Sequence, residues 1–156
     1  MEPDPTDMLA RGRQALASQP FSVLVGAELR TFSTGLAELR IPIRQELLQQ
    51  HGFVHGGVIS YAADNALTFA GGSALGPGVV TSEFKVNYVR PAVGDALIAR
   101  AVVVHAGKNQ AVCRCDVFVV RDGRESLCAA AQGTVTRITA RLNDPRDRPS
   151  GLPEGS

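Results

Sequence analysis

The sequence has few cysteines, no excess of charge of either sign and no long apolar run. Three cysteines in 156 residues provide no disulfide framework, and an odd number is typical of a reducing compartment. Sixteen Lys and Arg against 15 Asp and Glu leave a net charge of +1, which favours neither nucleic acid nor a membrane as a partner. No segment approaches the roughly 18 apolar residues of a membrane-spanning helix, and the acidic, proline-containing start predicts no secretory signal. We therefore expect a cytoplasmic protein.

The composition predicts one globular domain with a loose end. At 44% hydrophobic and 20% charged residues, the chain has enough apolar material for one core. We expect residues 1–19 to form an N-terminal segment with a short helix over 6–18 that Pro20 stops. Residues 20–139 are the predicted working domain. The polar, proline-containing residues 140–156 bury too little surface to offset their ordering entropy and are predicted to be disordered.

Two predicted strands precede one apolar helix. Val23–Phe32 and Leu36–Ile43 are the strands, and the second alternates apolar and polar residues. Residues 55–75 are small or apolar on nearly every side, with one acid and no base. This pattern predicts a helix enclosed by protein on most sides. We expect Gly71-Gly72 to fray or end it, and Gly76-Pro77-Gly78 to stop it firmly.

Four strands are predicted after the helix. Alternation is clear in 83–88, and strands follow over 97–105, 112–120 and 125–138, with Asp122-Gly123 as a strong hairpin signal. The order of two strands, one buried helix and four strands predicts an α+β fold. In it, an antiparallel sheet curves around a central helix.

Asp64 and the sequence His55-Gly56-Gly57 are the candidates for chemistry. An acid in an apolar helix costs desolvation energy unless it is hydrogen-bonded or functional, so Asp64 is either structural or catalytic. Glycines at a helix start leave N–H groups directed at a ligand, and the helix dipole there favours negative charge such as an oxyanion. The same glycines are also typical of a tight loop-to-helix joint.

Spacing limits how these two groups act together. Gly56 and Asp64 are eight positions apart, so about 12 Å separates them along one helix. A base and an oxyanion hole that serve one carbonyl both lie within roughly 3 Å of the reacting atoms. A catalytic role for both therefore requires Asp64 of one subunit to meet Gly56 of another across a two-fold interface.

Together, the motifs resemble the hotdog-fold acyl-CoA thioesterases, and among them the phenylacetate-pathway (PaaI-like) branch. The matching segments are Gln49 with 55–57, Asp64-Asn65, Thr81–Ala92 and Gly94-Asp95. The resemblance implies an acyl-CoA substrate with no further cofactor. It also implies a homodimer with a continuous sheet, and often a homotetramer of two dimers.

The resemblance implies catalytic roles as well. Asp64 corresponds to the nucleophile or general base, and Thr81 to a residue that helps hold the attacking water. The Gly56 N–H corresponds to the group that polarises the thioester carbonyl, and His55 supports that loop. By this resemblance, Asp64 and Thr81 come from one chain and Gln49 and Gly56 from the other, which agrees with the spacing.

The position that orients the carbonyl or the water has three candidates. Gln49 lies where relatives have Asn or Gln, and the neighbouring Gln50 and His51 are alternatives because many relatives have Asn there. His51 and His55 have the i,i+4 spacing of metal ligands, but no acid or cysteine nearby completes a site, so no metal is predicted.

The predicted substrate-binding residues are Gly57, Ser82, Lys85, Arg90 and Lys108. The three basic ones either meet the phosphates of coenzyme A or are ordinary solvated charges.

The cysteines and aromatics are predicted mainly as core. Cys113, Cys115 and Cys128 are expected to be small core hydrophobes. Most of the aromatics are expected in the core, with one or two lining an acyl pocket: Phe53, Tyr61, Phe69, Phe84 and Tyr88.

Two other functions stay open. The first is a hydratase or dehydratase of acyl thioesters on the same fold, whose sequence pattern has a catalytic His and a proline-rich loop. Here Gly-Gly follows His55 and no proline lies between 43 and 76, which counts against this function. A non-hydrolytic acyl-CoA-binding or regulatory module would have no need of Asp64.

Overall fold

Three helices, a 3₁₀ turn and six strands follow one another along the described part of the chain. The computed structural model describes residues 5–138; the predicted tail over 140–156 lies outside them. The elements are α1 (Pro5–Ala17), α2 (Pro20–Val25), β1 (Glu28–Ser33), β2 (Leu36–Pro42), the 3₁₀ turn (Gln45–Leu47), α3 (Gly56–Leu75), β3 (Val79–Tyr88), β4 (Ala96–Ala106), β5 (Gln110–Arg121) and β6 (Arg124–Arg137).

The six strands form one antiparallel sheet in the order β1-β2-β4-β5-β6-β3. The hairpin between β5 and β6 turns at Asp122 and Gly123, which both have positive φ, 50° and 73°, as a two-residue type I′ turn requires. The sheet curves around α3. The predicted α+β architecture is therefore confirmed.

One face of α3 contacts all six strands. The residues on this face are small and nearly inaccessible, with Ala63, Ala66 and Ala70 each 0% exposed, and their size lets the sheet approach closely. The opposite face, which carries Asp64 and Thr68, is only half-buried. Only Gly57 and Ala74 of α3 are exposed, so the prediction of a helix that protein encloses on most sides is confirmed.

Gly71 and Gly72 do not end α3, which continues to Leu75. Gly71 is instead a close-packing position. A Cβ added there would lie 2.7–3.0 Å from the Cβ and both Cγ atoms of Val135, which is fully buried on β6. The helix ends at Gly76, whose φ of 97° suits a glycine.

We expect Gly71→Ala to destabilise the fold by about 1–3 kcal/mol, because overpacking against a buried strand outweighs the gain in helix propensity. Gly72→Ala is the matched control, since its Cβ would meet only one Val79 methyl carbon, at 3.1 Å. Urea unfolding of both variants measures the difference. Equal stabilities for the two would contradict the packing argument.

The N-terminal part corrects one prediction. Residues 23–25, predicted as the start of a strand, belong to α2, and β1 begins only at Glu28. Pro20 stops α1 but also occupies the first turn of α2, and Gly26 caps it with φ 81°. Proline at the start and glycine after the end are typical helix signals, and the strand interpretation overlooked them.

The predicted helix over 6–18 is confirmed as α1, which packs on β1. Its Leu16 is buried in the core, and a Cβ at Gly12 would lie 2.6–2.7 Å from the side chains of Leu29 and Phe32. Helix α1 therefore packs tightly onto the first edge strand of the sheet.

The three cysteines lie in the core as predicted, with exposures of 0–1%. Burial raises the pKa of Cys113 and of Cys128 to about 11, so both are protonated and poor nucleophiles near neutral pH. Within residues 5–138, no helix is both long and apolar enough to cross a membrane.

Candidate active site

Asp64 lies on the half-buried face of α3, in contact with β3 at the edge of the sheet. Its Oδ1 accepts a 2.6 Å hydrogen bond from the Thr81 hydroxyl on β3. Its Oδ2 accepts none from any side chain over residues 7–138. One carboxylate oxygen is therefore held in place while the other is available to a water or a carbonyl carbon.

Thr68 is a third member of this group and is not among the predicted site residues. Its hydroxyl oxygen lies 2.7 Å from that of Thr81 and 2.8 Å from the Asp64 backbone carbonyl oxygen. Thr68 donates to that carbonyl, and because Thr81 gives its one proton to the carboxylate, only the same Thr68 proton is available for the contact between the two hydroxyls. Thr68 follows Asp64 by four residues, and this i,i+4 spacing on one helix face was the available signal.

A second polar cluster joins α2 to α3 beside Asp64. The Tyr61 hydroxyl donates to Ser22 Oγ at 2.6 Å, Ser22 donates to Gln19 Oε1 at 2.6 Å, and the Asn65 amide donates to the Tyr61 hydroxyl at 2.9 Å. Burial, together with the nearby charge of Asp64, raises the pKa of Tyr61 against the opposing effect of its hydrogen bonds. The neutral phenol thus remains a donor and ties α2 to the helix that carries Asp64.

The start of α3 is capped by the side chain of His55. His55 Nδ1 accepts a 2.9 Å hydrogen bond from the Gly57 N–H, which places the imidazole proton on Nε2 when the ring is neutral. The His55 N–H donates to the Leu47 carbonyl at 2.8 Å. Among the described residues, nothing accepts a hydrogen bond from the Gly56 N–H, so this donor is available at the positive end of the helix.

An open groove of about 380 Å³ lies beside this helix start. Gln49 and Arg90 border it, together with Val54, Gly56, Ile59 and Tyr88. A larger groove of about 520 Å³ lies between α1, α2 and β1 and contains none of the predicted site residues. Size alone therefore does not indicate the site, and we favour the smaller groove because Gly56, whose N–H has no acceptor among the described residues, borders it.

The three candidates for the residue that orients the carbonyl or the water lie in different surroundings. Gln49 borders the groove, and its Oε1 accepts a hydrogen bond from the His51 N–H. Gln50 and His51 are exposed and lie outside the lining, with 3.5 Å between the Gln50 amide nitrogen and His51 Nε2. This placement favours Gln49.

The predicted substrate-binding residues are dispersed. Arg90 borders the groove, whereas the exposed Lys85 and Lys108 do not. Ser82 lies at an irregularity in the β3–β6 pairing and donates to the Thr134 carbonyl at 3.1 Å. The Gly57 N–H already donates a hydrogen bond to His55 Nδ1. In the described part of the chain, no three His, Cys, Asp or Glu side chains are grouped as a metal site would need.

Asp64 and Gly56 are the ninth and first residues of the same helix, so about 12 Å separates them along its axis. One chain thus provides two half-sites. The first is a carboxylate that Thr81 holds, with Thr68 in contact with Thr81. The second is a helix start beside a groove, with a Gly56 N–H that has no acceptor among the described residues.

Comparison with known proteins identifies the family. The family model described as "Thioesterase superfamily" matches residues 51–126, from before the helix start to the beginning of β6. The chain is 32% identical over 115 residues to Escherichia coli acyl-coenzyme A thioesterase PaaI, covering 73% of this chain and 79% of that protein. The chain belongs to the thioesterase superfamily. The predicted resemblance to its PaaI-like branch is confirmed.

Solved structures agree with this assignment. A thioesterase family protein from Silicibacter pomeroyi is 36% identical with a TM-score of 0.77, covering 80% of this chain and 93% of that one. The E. coli PaaI structure has a TM-score of 0.75 at 24% identity, covering 87% and 97%, and supports the hotdog fold. This thioesterase is therefore a hydrolase of thioesters with the hotdog architecture.

Proposed function

We propose that this thioesterase hydrolyses an acyl-CoA to the free carboxylic acid and coenzyme A, with Asp64 as the general base or nucleophile. The observation that carries the proposal is the Asp64 carboxylate, which Thr81 holds through Oδ1 while Oδ2 is unpaired among the described side chains. A carboxylate fixed through one oxygen and open through the other suits proton abstraction or direct attack.

Two reaction courses fit this arrangement. In the first, Asp64 takes a proton from water as the water oxygen attacks the thioester carbonyl. In the second, Asp64 attacks the carbonyl carbon itself and forms a mixed anhydride, which water then cleaves. In both, the Gly56 N–H of the partner subunit hydrogen-bonds the carbonyl oxygen as negative charge develops on it, and the C–S bond breaks to release the CoA thiolate, which takes up a proton.

The proposed site needs two subunits, and β3 offers the surface that joins them. β3 is a ten-residue edge strand that pairs with β6 on one side. No described strand pairs with its other edge. A second copy pairing there would continue the sheet, as the homodimer prediction requires. Because Thr81 lies on β3, Asp64 would then stand close to the interface.

The two-subunit site predicts complementation between inactive variants. In a dimer of an Asp64→Asn chain and a Gly56→Pro chain, one site carries both defects and the other carries neither. One of the two sites of each heterodimer is then intact, so purified heterodimer should show about half of the wild-type turnover. Purification through two different affinity tags and a thiol-release assay measures this. Activity no higher than that of the separate variants would contradict the split site.

The substrate class is tested by coenzyme A release from a series of acyl-CoAs, from phenylacetyl through hexanoyl to palmitoyl. A thiol reagent detects each turnover, and we expect multiple turnovers with at least one member. Tight binding of every member without thiol release would favour the binding module instead. Consumption of an enoyl-CoA without free thiol would favour the hydratase.

A further inference from the structure

The Gly56–Gly57 peptide at the start of α3 is held at both ends by side chains. Its N–H, from Gly57, donates to His55 Nδ1 at 2.9 Å. Its C=O, from Gly56, accepts a 2.9 Å hydrogen bond from the Tyr88 hydroxyl. Tyr88 is the last residue of β3 and lies 32 positions away in the sequence. A residue at the end of a sheet strand thus contacts the helix start and holds it in place.

The Tyr88 ring adds a second contact at the same place. Its Cζ and Oη lie 3.4 Å, and its Cε1 3.6 Å, from the position that a Cβ on Gly56 would occupy. The ring therefore lies against Gly56 and forms a wall of the groove. Most aromatics are predicted in the core, with one or two lining a pocket, and Tyr88, which is 53% exposed, is one that lines a groove. Its position is explained by the helix start rather than by core packing.

These two hydrogen bonds matter because the peptide they hold joins two glycines at the start of a helix. Two consecutive glycines have no side chains to restrict their backbone, and the first N–H groups of a helix have no acceptor within it. An oxyanion donor acts only if its direction is fixed before the charge develops. On the other side of the Gly56 N–H, the His55 backbone is anchored by its hydrogen bond to Leu47.

We infer that Tyr88 is a positioning residue that orients the Gly56 N–H by holding the Gly56 carbonyl. The inference rests on the proposed function, because it assigns the Gly56 N–H to the thioester carbonyl. Tyr88 itself need not touch the reacting atoms: its hydroxyl is engaged with the backbone, and it acts through Gly56.

The test is Tyr88→Phe, which removes the hydroxyl and keeps the ring in the groove wall. We expect kcat to fall about 3- to 10-fold, as for the loss of one neutral hydrogen bond, with KM changed less than about twofold. Combined with His55→Ala, the loss should be smaller than the product of the two single losses, because both side chains hold one peptide. Multiplicative losses, or an unchanged kcat in an active enzyme, would overturn the inference.

A second readout does not depend on activity. In protein labelled with ¹⁵N-glycine, Tyr88→Phe should accelerate hydrogen exchange of the Gly57 amide. The Gly133 amide, which lies within the β3–β6 pairing, should keep its rate. Unchanged exchange at Gly57, or equal acceleration at both glycines, would overturn the inference that Tyr88 holds this peptide. If the wild type releases no thiol from any acyl-CoA, the proposed function fails, while this exchange comparison still decides whether Tyr88 fixes the helix start.

Discussion

Replacing Asp64 by Asn should lower kcat by about 10²-fold or more while KM changes little, since only the base or nucleophile is lost. The Asn side-chain oxygen can still accept the hydrogen bond that Thr81 donates to Oδ1. The contacts among Asp64, Thr68 and Thr81 therefore persist, and the shape of the site is kept. Steady-state kinetics with the best acyl-CoA of the series measures the effect.

A matched Asp→Asn change controls for the substitution itself. Asp116 is half-buried on β5 and pairs in register with Arg100 on β4, away from α3. Asp116→Asn should leave kcat and KM near those of the wild type. If Asp64 is structural instead, Asp64→Asn lowers the melting temperature and the folded fraction keeps its full turnover, an outcome that excludes the mechanism.

The fold was largely predictable because its signals are local. Alternation in β2 and β3, the positive-φ turn at Asp122-Gly123 and the small apolar residues of α3 each act within a few positions. The errors came where one local signal had two meanings. Pro20 stops one helix and starts the next, and Gly71, which weakens a helix by propensity, is required by Val135 on a strand 64 positions later.

Some residues of the candidate site likewise have a local signal in the sequence, and others do not. Asp64 and the His55-Gly56-Gly57 sequence stand out in the sequence because an acid in an apolar helix and paired glycines are unusual. Thr68 could have been selected from its spacing to Asp64. The contact of Tyr88 with Gly56 depends on where β3 ends relative to the helix start, and no pattern in either segment encodes that register.

Gly56→Pro should lower kcat by about 10²-fold or more, the usual loss for one oxyanion-hole donor. The structure indicates that the backbone tolerates proline here. Gly56 is the first residue of α3, a position that proline favours, and its N–H has no acceptor among the described residues. His55 has φ −58° and ψ 134°, close to the polyproline II conformation that a residue before proline can adopt.

Gly56→Ala separates loss of the donor from added bulk. Alanine keeps the N–H, and its Cβ would meet Tyr88 at 3.4 Å, an ordinary contact. We therefore expect Gly56→Ala to retain most of the turnover that Gly56→Pro loses, with circular dichroism confirming that both are folded. If a folded Gly56→Pro enzyme turns over as the wild type does, another group polarises the carbonyl. If the alanine variant is as impaired as the proline variant, bulk at the helix start accounts for the loss, and the N–H assignment fails.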